Sequence, residues 1–231
     1  MSSGGRLMAL LLVENGLLAV VLAGLLFGAA GTVAWPSGWV YLGLMVGIGL
    51  GICLWLAKVD PALLEERLKP AFQSGQKAWD KAFLTGMMVV YAAWTALMGL
   101  DARRFEWSHM PVWAQAIGAL LLIASFLGVG WVFATNSFAA PVIKLQAERG
   151  QTVISTGPYA IVRHPMYAFG LLQFAAAPLM LGSWWGLLLV PPAIAALAWR
   201  TLGEEKMLRS ELDGYEAYAR KVRWRYLPGI W

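Results

Sequence analysis

The sequence predicts an all-α protein: a polytopic integral membrane helical bundle of about six membrane segments, with a C-terminal helical hairpin and an amphipathic tail helix. Three observations predict it. Hydrophobic residues make up 59% of the chain and charged residues only 13%, about half the charge of a soluble domain. The apolar residues fall in runs of about 20, the length that crosses the roughly 30 Å hydrocarbon layer. The charges lie almost entirely at the borders of those runs.

The first run covers residues 7–31 and is interrupted by Glu14 and Asn15. A cleaved secretory signal would have an apolar stretch of about 7–15 residues. This longer run, with a polar pair inside it, is expected to stay as a helix. Glu14 is expected either to serve a site within the bundle or to be neutral or paired with another helix. Trp35 to Trp39 reads as a turn whose aromatics suit the head-group region. The second run is 37–57, followed by a charged segment from Lys58 to Lys81 that contains Pro61 and Pro70. The third run is 82–100 and the fourth 112–134, separated by a short polar loop from Asp101 to His109. A mixed loop then fills 135–164.

Residues 166–199 contain no Asp, Glu, Lys or Arg, too long a stretch for one comfortable span. Gly182-Ser183 in its middle marks a turn, so two short helices are expected back to back. Pro178, Pro191 and Pro192 are expected to kink them. In the tail, 201–231, Leu208, Leu212, Tyr215, Tyr218 or Ala219, and Val222 recur at three- and four-residue spacing, the pattern of an amphipathic surface helix. Its start is placed at Glu204-Glu205 and its stop at Pro228-Gly229, with Glu205–Arg209 and Glu216–Arg220 pairs along its face. The chain therefore divides into a four-span bundle, 1–134, and a C-terminal unit, 135–231.

With six spans and the N-terminus inside, sixteen Lys and Arg fall on the inner side and only Arg103 and Arg104 on the outer. That asymmetry predicts cytoplasmic termini and a cytoplasmic site. The basic residues border spans, where anionic lipid is the expected partner rather than nucleic acid. The single cysteine, Cys53, excludes an internal disulfide. No metal is expected, and the sequence leaves the oligomeric state open.

Two polar clusters bracket the uncharged stretch. Gly157-Pro-Tyr159 is a turn signal, and Pro165 suits the first position of a helix. Arg163 and His164 then sit just before a helix N-terminus, where free N–H groups and the dipole favour an anion. Arg163 offers a fork for a carboxylate, His164 a proton near neutral pH, and Tyr159 and Tyr167 flat faces with hydroxyls. Read alone, Arg163-His164 fits a pair snorkelling at a membrane boundary as well as it fits a site. Glu204-Glu205 alone fits an ordinary acidic first turn. A helical hairpin returns both clusters to one face. Together they form a pocket with a positive wall, an acidic wall and aromatics, which suits an amino-acid zwitterion carrying a nucleoside, such as S-adenosyl-L-methionine.

Gly157-Pro-Tyr-x3-Arg163-His-Pro-x-Tyr167, Glu204-Glu205, Tyr215-x2-Tyr218 and Arg225-x2-Pro228-Gly-x-Trp231 together resemble the isoprenylcysteine carboxyl methyltransferase family. That family belongs to a wider group of membrane methyltransferases that includes phospholipid N-methyltransferases. The resemblance covers residues 135–231, and the earlier spans only in pattern. It implies a transferase using S-adenosyl-L-methionine on a lipidic or prenylated small-molecule substrate within membrane lipids. Tyr159, Arg163, His164, Pro165 and Tyr167 would line the cofactor site. Glu204 and Glu205 would hold its amino group or ribose or border the reacting centre, and Arg200 would attract an acidic group of the substrate. One departure is Gln151, where the family pattern leads one to expect His. Two other readings remain open on the sequence: an NADPH-dependent sterol-type membrane reductase, and a non-catalytic transporter or channel subunit.

Overall fold

A computed structural model of the chain describes residues 3–231. All its regular elements are helical, and no strand occurs among the described residues. The helices are α1 (Ser3–Ala30), α2 (Pro36–Val59), α3 (Pro61–Arg67), α4 (Ala78–Gly99), α5 (Val112–Thr135), α6 (Pro165–Leu181), α7 (Trp184–Leu188), α8 (Val190–Glu211) and α9 (Tyr215–Lys221). Five stretches are long and apolar enough to cross a membrane: α1, α2, α4 with the π-turn that follows it, α5, and α7 with α8. The sixth segment, α6, has 17 residues, a length of about 26 Å at 1.5 Å per residue.

Proline sets several of the starts. Pro36, Pro61 and Pro165 each open a helix, where the missing N–H has no intrahelical acceptor to lose. Pro191 and Pro192 likewise lie in the first turn of α8, so they begin that helix rather than kink it as expected. Trp35 is the residue before α2, which begins inside the anticipated turn. The break in the uncharged stretch falls at Gly182, whose φ of +85° a side-chain-bearing residue rarely adopts. Its N–H and that of Ser183 both bond Pro178 O, at 2.9 and 2.8 Å, and the Ser183 hydroxyl caps α7 at Gly186 N.

The closest helix pair is α5 with α6. A Cβ on Gly118 would lie 2.3 Å from Met180 N, and one on Gly128 only 2.2 Å from the Phe169 ring. Small residues let membrane helices approach to backbone contact, and Ser125 adds a hydrogen bond to Phe169 O at 2.8 Å. The central core is filled by Leu26, Tyr41, Trp94, Met98, Leu122, Ala176, Met180 and neighbours from α1, α2, α4, α5 and α6. Val20, Val89, Leu120 and Leu127 stay exposed on the outside, as lipid-facing positions do. Glu14 also lies on the exposed side of α1 rather than inside the bundle.

The tail departs most from expectation. α8 runs unbroken to Glu211, so Glu204 and Glu205 lie inside a long helix instead of starting a tail helix. The amphipathic element shrinks to α9, seven residues, and Gly214 at φ +83° separates it from α8. Residues 222–231 are non-helical. The anticipated pairs re-form as Arg209–Glu216 and as Glu205 with Arg163 and Arg225. Each anticipated pair still lies within one helix, but Glu205 is buried and taken by Arg163 and Arg225, and the turn at Gly214 brings Glu216 to Arg209.

Candidate active site

The loop from Asn136 to His164 and the tail after α8 close over the end of the α6–α8 hairpin. Backbone N–H groups of Arg163 and His164 donate to the carbonyls of Trp224 and Arg225, both at 2.9 Å. This short pairing clamps residues 222–231 against the start of α6. The Tyr218 hydroxyl donates to Tyr159 O at 2.8 Å, which ties α9 to the Gly157–Ala160 turn. Ile143, Met207, Leu208, Tyr215, Tyr218, Ala219 and Val222 form the apolar packing beneath.

Glu205 is the charge centre of this junction. Its Oε1 accepts from Arg163 Nε at 2.7 Å and lies 3.1 Å from His164 Nε2. Arg225 approaches both of its oxygens, at 3.2 and 3.1 Å, and itself lies over the Trp231 ring at 4.6 Å. Arg163 also donates to the carbonyls of Val222 and Arg223, both at 2.8 Å. The anion expected beside the start of α6 is thus supplied by the protein.

Glu204 points elsewhere. Its Oε2 accepts from the Tyr167 hydroxyl at 2.7 Å and lies 3.8 Å from His164 Nδ1. Tyr167 in turn accepts from Arg200 Nη1 at 2.8 Å. Arg200 is held by Asp80 through Nε at 2.8 Å and by Pro141 O through Nη2 at 2.9 Å. Asp80 is fully buried and also accepts from Gln76 and from Ile143 N. A continuous chain, Asp80–Arg200–Tyr167–Glu204, therefore connects α4 to the site. The rings of His164 and Tyr167 stack at 5.6 Å, and Tyr226 meets both edge-on.

Around Glu204 lies an open-mouthed pocket. Its walls come from the 136–154 loop (Asn136, Lys144, Gln151), from Tyr159, Arg163, His164 and Tyr167, from Glu204, Met207 and Leu208 of α8, and from Tyr215 and Tyr218. The Tyr215 hydroxyl is buried and has no hydrogen-bond partner among the described residues, a costly state unless a ligand or water supplies one. Burial pushes the Tyr159 phenol up to about 12, against the hydrogen bond from Asn136 and with the Glu204 charge. Burial also raises Tyr215 and Tyr218, and the Glu205 and Glu204 carboxylates raise Tyr215 further. These phenols therefore stay protonated and act as hydrogen-bond groups.

Of the residues expected at the site, Tyr159, Arg163, His164, Tyr167 and Glu204 line this pocket. Pro165 is buried at the first position of α6, Glu205 sits behind Arg163, and Arg200 behind Tyr167. Gln151 lines the wall and accepts from Gln146 N at 2.8 Å. Sequence reasoning missed Asp80, Asn136, Lys144 and Tyr226 as site or supporting residues. Asp80 carried a usable signal, a carboxylate in the first turn of a membrane span. Asn136, Lys144 and Tyr226 carried none, because ordinary loop residues join the site only through the fold.

The pocket presents a carboxylate, aromatic faces and a buried hydroxyl. Among known proteins, the phospholipid methyltransferase (PEMT) family matches residues 113–212, a stretch from α5 through α8 that contains every cluster residue from Tyr159 to Glu205. No match is found among curated proteins.

Proposed function

We propose, from the match of residues 113–212 to the phospholipid methyltransferase family, that the chain is an integral membrane methyltransferase. It would use S-adenosyl-L-methionine bound in the Glu204 pocket and act on a lipidic acceptor. The single observation that carries this reading is the exposure of Glu204 to the pocket while Glu205 is closed off by Arg163, His164 and Arg225. When bound, the cofactor supplies an electrophilic sulfonium methyl for in-line transfer.

The chain's own residues supply position and a dry environment. Glu204 holds a cationic group and is itself aimed by Tyr167 and, behind it, by Arg200 and Asp80. Tyr159, Tyr215 and Tyr218 give aromatic walls and hydroxyls. Arg163, His164 and Glu205 fix the tail that closes the pocket, so they act as positioning residues, and Pro165 fixes the start of α6. Residues 135–231 form the cofactor-binding unit in this reading, with the pocket and both termini in the cytoplasm.

Arg200, the residue expected to attract an acidic group of the substrate, is paired with Asp80. An amine acceptor must lose a proton, and Glu204 is the carboxylate on the pocket wall placed to take it. The match to the phospholipid methyltransferase family favours a lipid amine over a lipid carboxylate. Calorimetry of the purified protein with S-adenosyl-L-methionine and with NADPH tests the cofactor, with binding of the first alone expected. Labelled-methyl transfer into total membrane lipids and into prenylcysteine analogues tests the acceptor, with label expected in amino lipids. Binding of neither cofactor would overturn the proposal.

A further inference from the structure

A second polar pocket lies beside the first, at the same end of the bundle. It is open to the surface, and its walls come from residues 69–70 and 72–75, before α4, and from Lys144, Leu145 and Glu148. Lys144 lines both pockets.

Gln73 is the unusual residue there. It is 9% exposed, and among the described residues neither its amide nitrogen nor its amide oxygen has a hydrogen-bond partner. A buried amide that can donate and accept is normally paired, so this one is set to meet something absent from the protein itself. Beside it, Lys69 and Lys144 converge on one carboxylate, Glu66, at 2.5 and 2.7 Å. Two ammonium groups meet one carboxylate at Glu66, and Glu148, exposed at the rim, brings the pocket as a whole to neutrality. Phe72 projects at 55% exposure from the same loop, as aromatic residues do at a membrane–water boundary.

The geometry points to a binding site for a singly charged phosphodiester, with the amide of Gln73 donating to a phosphoryl oxygen and Lys69 and Lys144 meeting its charge. A dianion suits this pocket less well, because Glu66 and Glu148 would repel it. The ligand is the diester group of a membrane phospholipid or a soluble phosphodiester, and the site shares Lys144 alone with the wall of the Glu204 pocket.

The test uses the purified full chain in detergent and calorimetry with three probes: diethyl phosphate, dihexanoylphosphatidylglycerol and inorganic phosphate. The diester probes should bind, and Gln73→Leu should weaken them about tenfold or more, the usual effect of losing a hydrogen bond to a charged group. Lys69→Gln, at a side chain that is 46% exposed, should weaken them in the same direction and keeps the test open if Gln73→Leu fails to fold. Binding of both diesters assigns the site to the diester group, and binding of the lipid alone assigns it to a head group in the membrane. No diester binding, equal binding in both variants, or tighter binding of inorganic phosphate would overturn the assignment. S-adenosyl-L-methionine affinity, measured in the same variants, should be unchanged, so failure here is distinct from failure of the methyltransferase reading.

Discussion

Glu204 and Glu205 are neighbours in the chain and serve different spaces: Glu205 Oε1 meets Arg163 Nε at 2.7 Å, while Glu204 Oε2 meets the Tyr167 hydroxyl at 2.7 Å on the pocket wall. Successive helical residues diverge by about 100°, so one side chain reaches the tail clamp and the other the cavity. Substitutions at the two should separate accordingly. Glu205→Ala leaves Arg163 buried without its carboxylate and should cost about 3–5 kcal/mol, read as a lower thermal midpoint. Glu204→Gln should leave that midpoint nearly unchanged and weaken S-adenosyl-L-methionine binding about tenfold or more. Equal stability losses in both would contradict the division of labour.

The Asp80–Arg200 pair is buried and joins α4 to α8. A double-mutant cycle with Asp80→Ala and Arg200→Ala should show a coupling energy of about 0.5–3 kcal/mol in thermal or denaturant unfolding. Additive single effects would mean that the two side chains stabilise the bundle independently.

Tyr215→Phe removes a buried hydroxyl that has no partner within the protein. Without ligand, stability should hold or rise by about 1 kcal/mol, because an unsatisfied polar group is lost. Cofactor affinity should fall. A clear loss of stability in the ligand-free protein would show that the hydroxyl already has a partner, such as a fixed water.

Burial opposes the charge on Glu66, but hydrogen bonds from Lys144 and Lys69 and their charges outweigh it and hold the carboxyl below its ordinary 4.5. A carboxyl depressed in the folded state stabilises it fully above the unfolded value and loses that contribution as pH falls through the folded value. Thermal stability should therefore be insensitive to this group above pH 4.5 and should decline below it. In Glu66→Gln that part of the acid decline should disappear. An identical acid limb in the variant would refute the assignment.

At Gly118 the α5 backbone approaches α6 so closely that an added Cβ would lie 2.3 Å from Met180 N and 2.8 Å from its Cα. Backbone cannot swing aside as a side chain can, so Gly118→Ala should cost about 1–3 kcal/mol. Gly170→Ala, where nothing lies within 4 Å, is the matched control in the facing helix. The comparison is read from thermal midpoints of the two purified variants.

The membrane class, the near-complete list of spans and the break at Gly182 were legible because they are local or compositional. Chain length against bilayer thickness fixes the first two, and a positive φ that favours glycine fixes the third. The gathering of Tyr159, Arg163, His164, Tyr167 and Glu204 was also legible, since a hairpin must return its ends to one side. The tail was misread because its three- and four-residue spacing fits one long helix as well as two short ones joined at Gly214. That choice depends on Tyr215 and Tyr218 packing on Met207 and Leu208.

By itself, the sequence determined where the chain is apolar, where it turns and which polar residues are forced to share an end of the bundle, because those depend on hydration and local backbone geometry. Only the tertiary structure decided which carboxylate faces the cavity, that Arg200 pairs with Asp80, and that the Gln73 amide is buried without a partner among the described residues. Those outcomes depend on side chains from distant segments competing for the same few partners, and no spacing along the chain records that competition.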